Sequence, residues 1–210
     1  MSTVESQMPE RVVFEYPHDQ YPVVTYPGDF GLVCDWKEDL LGSLIRAGER
    51  VWYGNTDFAR WTHAFMIVGP HGEIVEANAG GVQRKNISEY ANADFVVVHP
   101  TAVMDYQRML ACECAQAMVG ETYGYVDYLG LVPRAIFHWN LSVHAGNAPI
   151  CSELVARCSE KYISKYDWSV EEMMPASLAA YWHVRTDQPL PKLNLWDRFL
   201  NVVGSICPKW

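Results

Sequence analysis

A chain of 210 residues, half of them hydrophobic, fits one domain with a sizeable core. Its formal charge of −9 argues against a nucleic-acid footprint and against docking on anionic membranes, both of which need basic patches. No apolar run approaches the roughly 18 residues that cross a bilayer, and residues 1–11 lack the apolar stretch of a secretory signal. The expectation is a protein with no integral membrane segment, cytoplasmic as synthesised and compatible with a phage-type or lysis-released setting.

Residues 1–27 read as extended and irregular, punctuated by Pro9, Pro17, Pro22 and Pro27, with Val12–Phe14 and Val23–Tyr26 as short strands. Gly28-Asp29-Phe30 turns into a buried strand ending near Cys34. Leu40, Leu41, Leu44 and Ile45 recur at helical spacing, so a helix is predicted over 35–47, ended near Gly48. A strand over 62–68, the turn Gly69-Pro70-His71-Gly72 and a strand over 73–77 make a hairpin. Residues 78–82 read as a turn, 85–91 as a lead-in, and Phe95–Val98 as a strand.

The spacing then predicts a helix from Val103 to Val119, with Met104, Leu110, Cys114 and Met118 among its apolar residues and Gly120 as its stop. Residues 123–137 are aromatic and mixed, and 138–150 are polar. A helix opens at Cys151 and runs to about Ser164, with Leu154, Val155, Cys158 and Tyr162 facing inward. Pro149 and Ser152 sit where helix starts favour such residues. Ser169–Pro175 resembles a capping box before a helix over 176–181, and the tail beyond Thr186 carries an amphipathic piece over 195–203. Mixed strands and helices with an antiparallel hairpin predict an α+β domain.

Six cysteines occur, and without paired CxxC motifs they read as free thiols rather than a zinc site or a disulfide framework. Buried cysteines more often serve as small hydrophobes, and Cys34, Cys112, Cys114, Cys158 and Cys207 are read so. Cys151 differs. A thiol at a helix N-terminus faces unpaired N–H groups and the positive end of the helix dipole, which favour the thiolate. Its base would be His63, oriented by Glu76. With Val68 opposite Glu73, His63 falls opposite Asn78 and diagonal to Glu76, on one face of the hairpin. A one-residue slip would separate them. Asn78 is the alternative orienting residue. Glu153 reads as a first-turn acid favourable to the helix dipole, His71 as a solvated turn residue and His99 as a strand end. His138 and His144 flank the loop before Cys151.

Gly28-Asp29, His63-Ala64 before Ile67-Val68-Gly69, Val75-Glu76-Ala77 before Gly81-Val82, and Cys151-Ser152-Glu153-Leu154-Val155 together resemble the circularly permuted NlpC-type papain-like proteins, in particular the YiiX-like branch. In that group the histidine and acid precede the cysteine helix, as here. The resemblance covers roughly residues 27–178, and Gly120 with Tyr123 and Tyr125 is similar to the family's glycine-and-tyrosine stretch. It implies a permuted papain-like fold, an antiparallel sheet packed against helices, over 27–184, with extensions at 1–26 and 185–210. It implies Cys151 as nucleophile, His63 as base and Glu76 as the orienting acid, with no cofactor and no metal. Ile150 stands where many relatives carry Tyr, which leaves a phenolic oxyanion contact to Tyr26, Tyr53, Tyr123 or Tyr125.

The leading expectation is a cysteine hydrolase acting on an amide or ester through a thioester acyl-enzyme, its substrate a peptide, a peptidoglycan fragment or an acyl-containing molecule. An acyltransferase or thioesterase on lipids shares the chemistry. A non-catalytic papain-like assembly module, meeting its partner through the terminal extensions, is the reading from a different class.

Overall fold

The computed structural model describes residues 10–34, 57–122, 149–163, 166, 169–170 and 173–186. The strands in chain order are β1 (Arg11–Tyr16), β2 (Phe30–Cys34), β3 (His63–Ile67), β4 (Glu73–Asn78), β5 (Gly81–Asn86) and β6 (Asp94–Pro100). The α-helices among the described residues are α1 (Asp105–Ala117), α2 (Cys151–Ser159) and α3 (Pro175–Tyr181). The strands form one six-stranded sheet, ordered β1-β6-β2-β3-β4-β5, with antiparallel pairing throughout. The architecture is α+β with an antiparallel sheet packed against helices, as expected.

Successive strand side chains point to opposite faces, and here both faces are buried. One carries Phe30, Leu32, Ala64, Met66, Val75 and Val96, which join Ala111 and Ala115 of α1, Leu154 and Val155 of α2, and Leu178 of α3 in the main core. The other carries Val33, Phe65, Ile67, Ile74 and Phe95, closed by Ile87 from a 3-10 turn at Ile87–Tyr90. Two-sided burial is why β2, β3 and β6 read as continuous apolar runs rather than alternations. Gly31 makes room for this packing: a Cβ there would lie 2.1 Å from the Phe65 ring.

Several expectations are corrected. Val23–Tyr26 is not a strand. Thr25 turns inward and clasps the β3–β4 turn, its N–H donating to Pro70 O at 3.0 Å and its hydroxyl to Gly69 O at 2.7 Å, while Val23, Val24 and Tyr26 are exposed. Residues 78–91 hold more than a turn and a lead-in, because Gly81–Asn86 forms edge strand β5. Its polar sequence hid it, since polar residues on an edge blunt the apolar alternation that marks a strand. The helix expected over 103–119 is shorter, Asp105–Ala117; Ala111, Cys112, Ala115 and the C-cap Met118 are buried, whereas the N-cap Met104 and Leu110 are exposed. The small side chains at the contact won the helix phase over the larger apolar ones. Gly120, at φ +96°, does end this segment, its N–H donating to Val82 O at 2.9 Å.

The Cys151 helix stops at Ser159 rather than near 164. The Ser159 hydroxyl donates back to its own helix carbonyls at Val155 (2.7 Å) and Ala156 (3.0 Å), a bond that competes with continued helix. Helix α3 begins as expected, with Pro175 in its first turn. The strand expected at Val12–Phe14 is present and longer, as edge strand β1 within the N-terminal segment otherwise expected as irregular, paired with β6 from Arg11–Pro100 to Tyr16–Phe95. The helix expected over 35–47, the stretch 123–148 with His138 and His144, Cys207 and the tail piece over 195–203 lie outside the described residues.

Candidate active site

The β3–β4 hairpin has the expected register. Met66 is opposite Val75 and Ile67 opposite Ile74, and the Val68 N–H donates to Glu73 O at 2.8 Å. The alternation therefore puts His63 and Glu76 on one sheet face, with Phe65, Ile67 and Ile74. His63 Nε2 and Glu76 Oε2 are 3.1 Å apart. Thr62 N–H donates to Val33 O at 2.8 Å, fixing the chain just before His63.

Cys151 arrives from the opposite face. Leu154 and Val155 anchor α2 in the main core, and the helix packs along β3 so that its first residue meets the start of that strand. There Cys151 lies beside His63 and the backbone N–H groups of Ala64 and Ser152, all of which favour negative charge on its sulfur. With Nε2 engaged by Glu76, Nδ1 is the ring nitrogen left for the sulfur. Ser152 does not cap the helix. Its hydroxyl donates to Met173 O at 2.5 Å, tying α2 to the segment before α3. The cap comes from Glu153, whose carboxylate accepts from the Ile150 N–H at 3.3 Å and from Arg157. Glu153 is thus neutralised locally and turned back over the N-cap.

These contacts set the protonation states. Burial (Cys151 is 4% exposed) opposes a charged sulfur, but imidazolium His63 and the nearby backbone N–H groups outweigh it and lower the Cys151 pKa. Burial likewise opposes a charged imidazole, yet the thiolate and the Glu76 carboxylate raise His63 to about 10. Glu76, 1% exposed, is also opposed by burial, but His63 and its hydrogen-bond donors lower it to about 2. The arrangement favours a thiolate at Cys151 and an imidazolium at His63, the latter held 3.1 Å from the Glu76 carboxylate.

Glu76 has further partners that the sequence reading missed. Tyr90 donates its hydroxyl to Oε2. Asn78, the alternative orienting residue, donates to Oε1 at 2.8 Å and so holds Glu76 rather than His63. Lys85 Nζ lies 3.2 Å from the same oxygen. Tyr90 also stacks on Phe65 with ring centroids 5.3 Å apart and tilts toward His63 at 5.9 Å. Recognising β5 would have found Lys85. With Glu76 opposite Gln83, Lys85 is its diagonal neighbour on the same face. Tyr26, a candidate phenolic donor, packs edge-on against His99 instead, 5.3 Å between ring centroids. Tyr53, Tyr123 and Tyr125 lie outside the described residues.

His99 is more than a strand end. Its Nδ1 is 2.9 Å from the buried Asp29 carboxylate, which also accepts from Arg108 at 2.6 Å, and Arg108 donates in turn to Pro100 O. This cluster pins the turn before β2 to β6 and α1, beside a cavity of about 630 Å³ lined by Tyr26, Val68, Met109 and Gln116 among others. Its polar groups satisfy one another, which suits a structural bolt. Among the described residues no three His, Cys, Asp or Glu side chains converge to hold a metal, and no helix is long and apolar enough to cross a membrane. The chain matches no protein-family model, no curated protein and no solved structure.

Proposed function

We propose that this chain is a cysteine hydrolase of the permuted papain-like, NlpC-type class, cleaving an amide or ester bond through a thioester acyl-enzyme. The juxtaposition of Cys151, His63 and Glu76, with His63 Nε2 3.1 Å from Glu76 Oε2, carries the reading. The order of the elements supports it further, since the histidine strand and acid strand precede the cysteine helix and the sheet is antiparallel.

In this reading the Cys151 thiolate attacks the carbonyl carbon of the substrate. A carbon–sulfur bond forms and the carbonyl π pair moves to oxygen. The N–H of Cys151, at the positive end of α2, is the natural donor to that oxyanion. Collapse expels the amine or alcohol, which takes its proton from imidazolium His63. Neutral His63 then removes a proton from water as the oxygen attacks the thioester, and the sulfur departs as thiolate. Glu76 keeps the ring in the tautomer and orientation that both steps require. Peptides, peptidoglycan peptides and acyl esters all suit this chemistry.

A panel of peptide, muropeptide and acyl-ester substrates tests the proposal, with intact-mass detection of an acyl adduct. The expected result is turnover with an adduct on Cys151, and Cys151→Ala lowering the rate by on the order of 10⁴-fold or more with the fold retained. Full activity in Cys151→Ala overturns the assignment.

A further inference from the structure

Oxygen Oε2 of Glu76 serves two donors at once. It lies 3.1 Å from His63 Nε2 and accepts from the Tyr90 hydroxyl. Oε1 is held by Asn78 at 2.8 Å and by Lys85 at 3.2 Å. Tyr90 differs from Asn78 and Lys85 in touching the oxygen that faces His63. Lys85 is also drawn to Glu89, 3.1 Å away, and is partly open to solvent, which screens its charge. The Tyr90 ring makes a second contact, tilted against the His63 ring with 5.9 Å between centroids. One side chain thus bounds both the imidazole and the carboxylate oxygen that the imidazole meets.

The fold fixes Tyr90 through its ring and through its backbone. The ring stacks on Phe65, 5.3 Å between centroids and 13° between planes. Phe65 is itself fully buried, over Gly31 and edge-on to Phe95. The 3-10 turn Ile87–Tyr90 is pinned at its start, where the Ile87 N–H donates to Gly72 O at 2.8 Å and the Asn86 side chain accepts from the Ser88 N–H at 3.0 Å. It is pinned at its end by the Ala93 N–H, which donates to Tyr90 O at 2.9 Å. The hydroxyl therefore reaches Glu76 from a locked side chain, which is what a preorganised contact needs.

We propose that Tyr90 is a positioning residue for His63: its hydroxyl fixes Glu76 Oε2 and its ring limits the swing of the imidazole, so that Nε2 stays on the carboxylate and Nδ1 on the side of Cys151. This role rests on the hydrolase reading, since it takes Cys151, His63 and Glu76 as the acting set. Tyr90 acts through Glu76 and transfers no proton itself. A donor on Oε2 favours the carboxylate anion, and a carboxylate that cannot turn keeps the imidazole oriented. Without the hydroxyl, Glu76 is easier to protonate and freer to rotate against His63, Asn78 and Lys85. The charged set then forms only at higher pH.

The test is iodoacetamide labelling of Cys151 against pH with peptide mapping, on the full chain as wild type, Tyr90→Phe, Glu76→Ala and the double variant. Tyr90→Phe removes the hydroxyl and keeps the ring on Phe65. The acid midpoint of its labelling should move up by about one pH unit, a roughly 10-fold slower reaction at fixed pH on that limb. In the Glu76→Ala background the same change should add nothing, because the oxygen it fixes is gone. Tyr16→Phe is the control. Tyr16 packs on the same side of the sheet, stacked on Phe95 at 5.1 Å, and losing its hydroxyl should leave the midpoint in place. Three results overturn the role: an unmoved midpoint in Tyr90→Phe beside an activated wild type, an equal shift in Tyr16→Phe, or the same shift with and without Glu76. The Tyr90→Phe and Tyr16→Phe pair decides the matter if Glu76→Ala does not fold. Ordinary thiol behaviour of Cys151 in wild type is a separate failure, which removes the hydrolase reading and the role of Tyr90 with it.

Discussion

Glu76 shows how one buried carboxylate is kept charged and what that charge does. Taking it out of water costs more than any single hydrogen bond returns, so it survives as an anion because four partners share it: His63, Tyr90, Asn78 and Lys85. Glu76→Gln retains the shape but removes the charge that stabilises imidazolium. Its turnover should fall, yet by roughly 10- to 100-fold less than that of Cys151→Ala, because it orients and stabilises rather than attacks. Steady-state kinetics on one substrate checks the ranking, and an unaltered rate would demote Glu76 to a structural role. Cys151, His63 and Glu76 were legible in the sequence because each sits at an informative place, a helix start or a hairpin position with a definite partner. Tyr90 was not. It reaches Glu76 from a short 3-10 turn whose position depends on β5, and nothing in the local pattern announces that turn.

At the scale of elements, β3 is packed from both sides, and the packing that buries it also places His63. Phe65 lies over Gly31 and between Tyr90 and Phe95, the latter with ring centroids 6.3 Å away, so it has little freedom to swing aside. Gly31→Ala should therefore cost about 1–3 kcal/mol through overpacking. Urea unfolding should show a lower midpoint with an unchanged slope, and Phe65→Leu in the same chain should recover part of the loss. An unchanged midpoint would mean that the Phe65 ring is not held over Gly31. Apolar strands and the turn at Gly69–Gly72 were readable because burial and turn chemistry act locally. The inward face of α1 was not, since its contact selects the small residues Ala111 and Ala115 and leaves Met104 and Leu110 outside. Which stripe of a helix turns inward is decided by what it packs on, and the sequence of α1 does not carry that partner's shape.

For the whole molecule, the buried charges make stability depend on pH. Glu76 falls from an ordinary 4.5 to about 2 on folding, so its contribution is complete above about 4.5 and is lost as pH drops toward 2. The raised His63 contributes below 6.5 and loses its contribution as pH climbs toward 10, while the lowered Cys151 pulls the opposite way over part of that range. Acid is therefore where the signal is cleanest. Wild-type stability, measured by denaturant unfolding, should fall between pH 4.5 and 2, and Glu76→Gln should flatten that limb. A parallel fall in both proteins would assign the acid limb to other carboxylates. The α+β class, the antiparallel hairpin and a strand at Val12–Phe14 followed from the residues, but the assembly of six strands into one sheet did not, because β5 is a short, polar edge recognised only by its neighbour and strand order is set by contacts distant in sequence. The most direct test of a histidine-activated Cys151 is iodoacetamide labelling against pH with peptide mapping, on wild type and His63→Ala. Preferential labelling of Cys151 at pH 6, nearly flat up to pH 9 and lost in His63→Ala, is the expected result. Labelling of Cys151 that rises with pH in both proteins alike, as an ordinary thiol does, would contradict it.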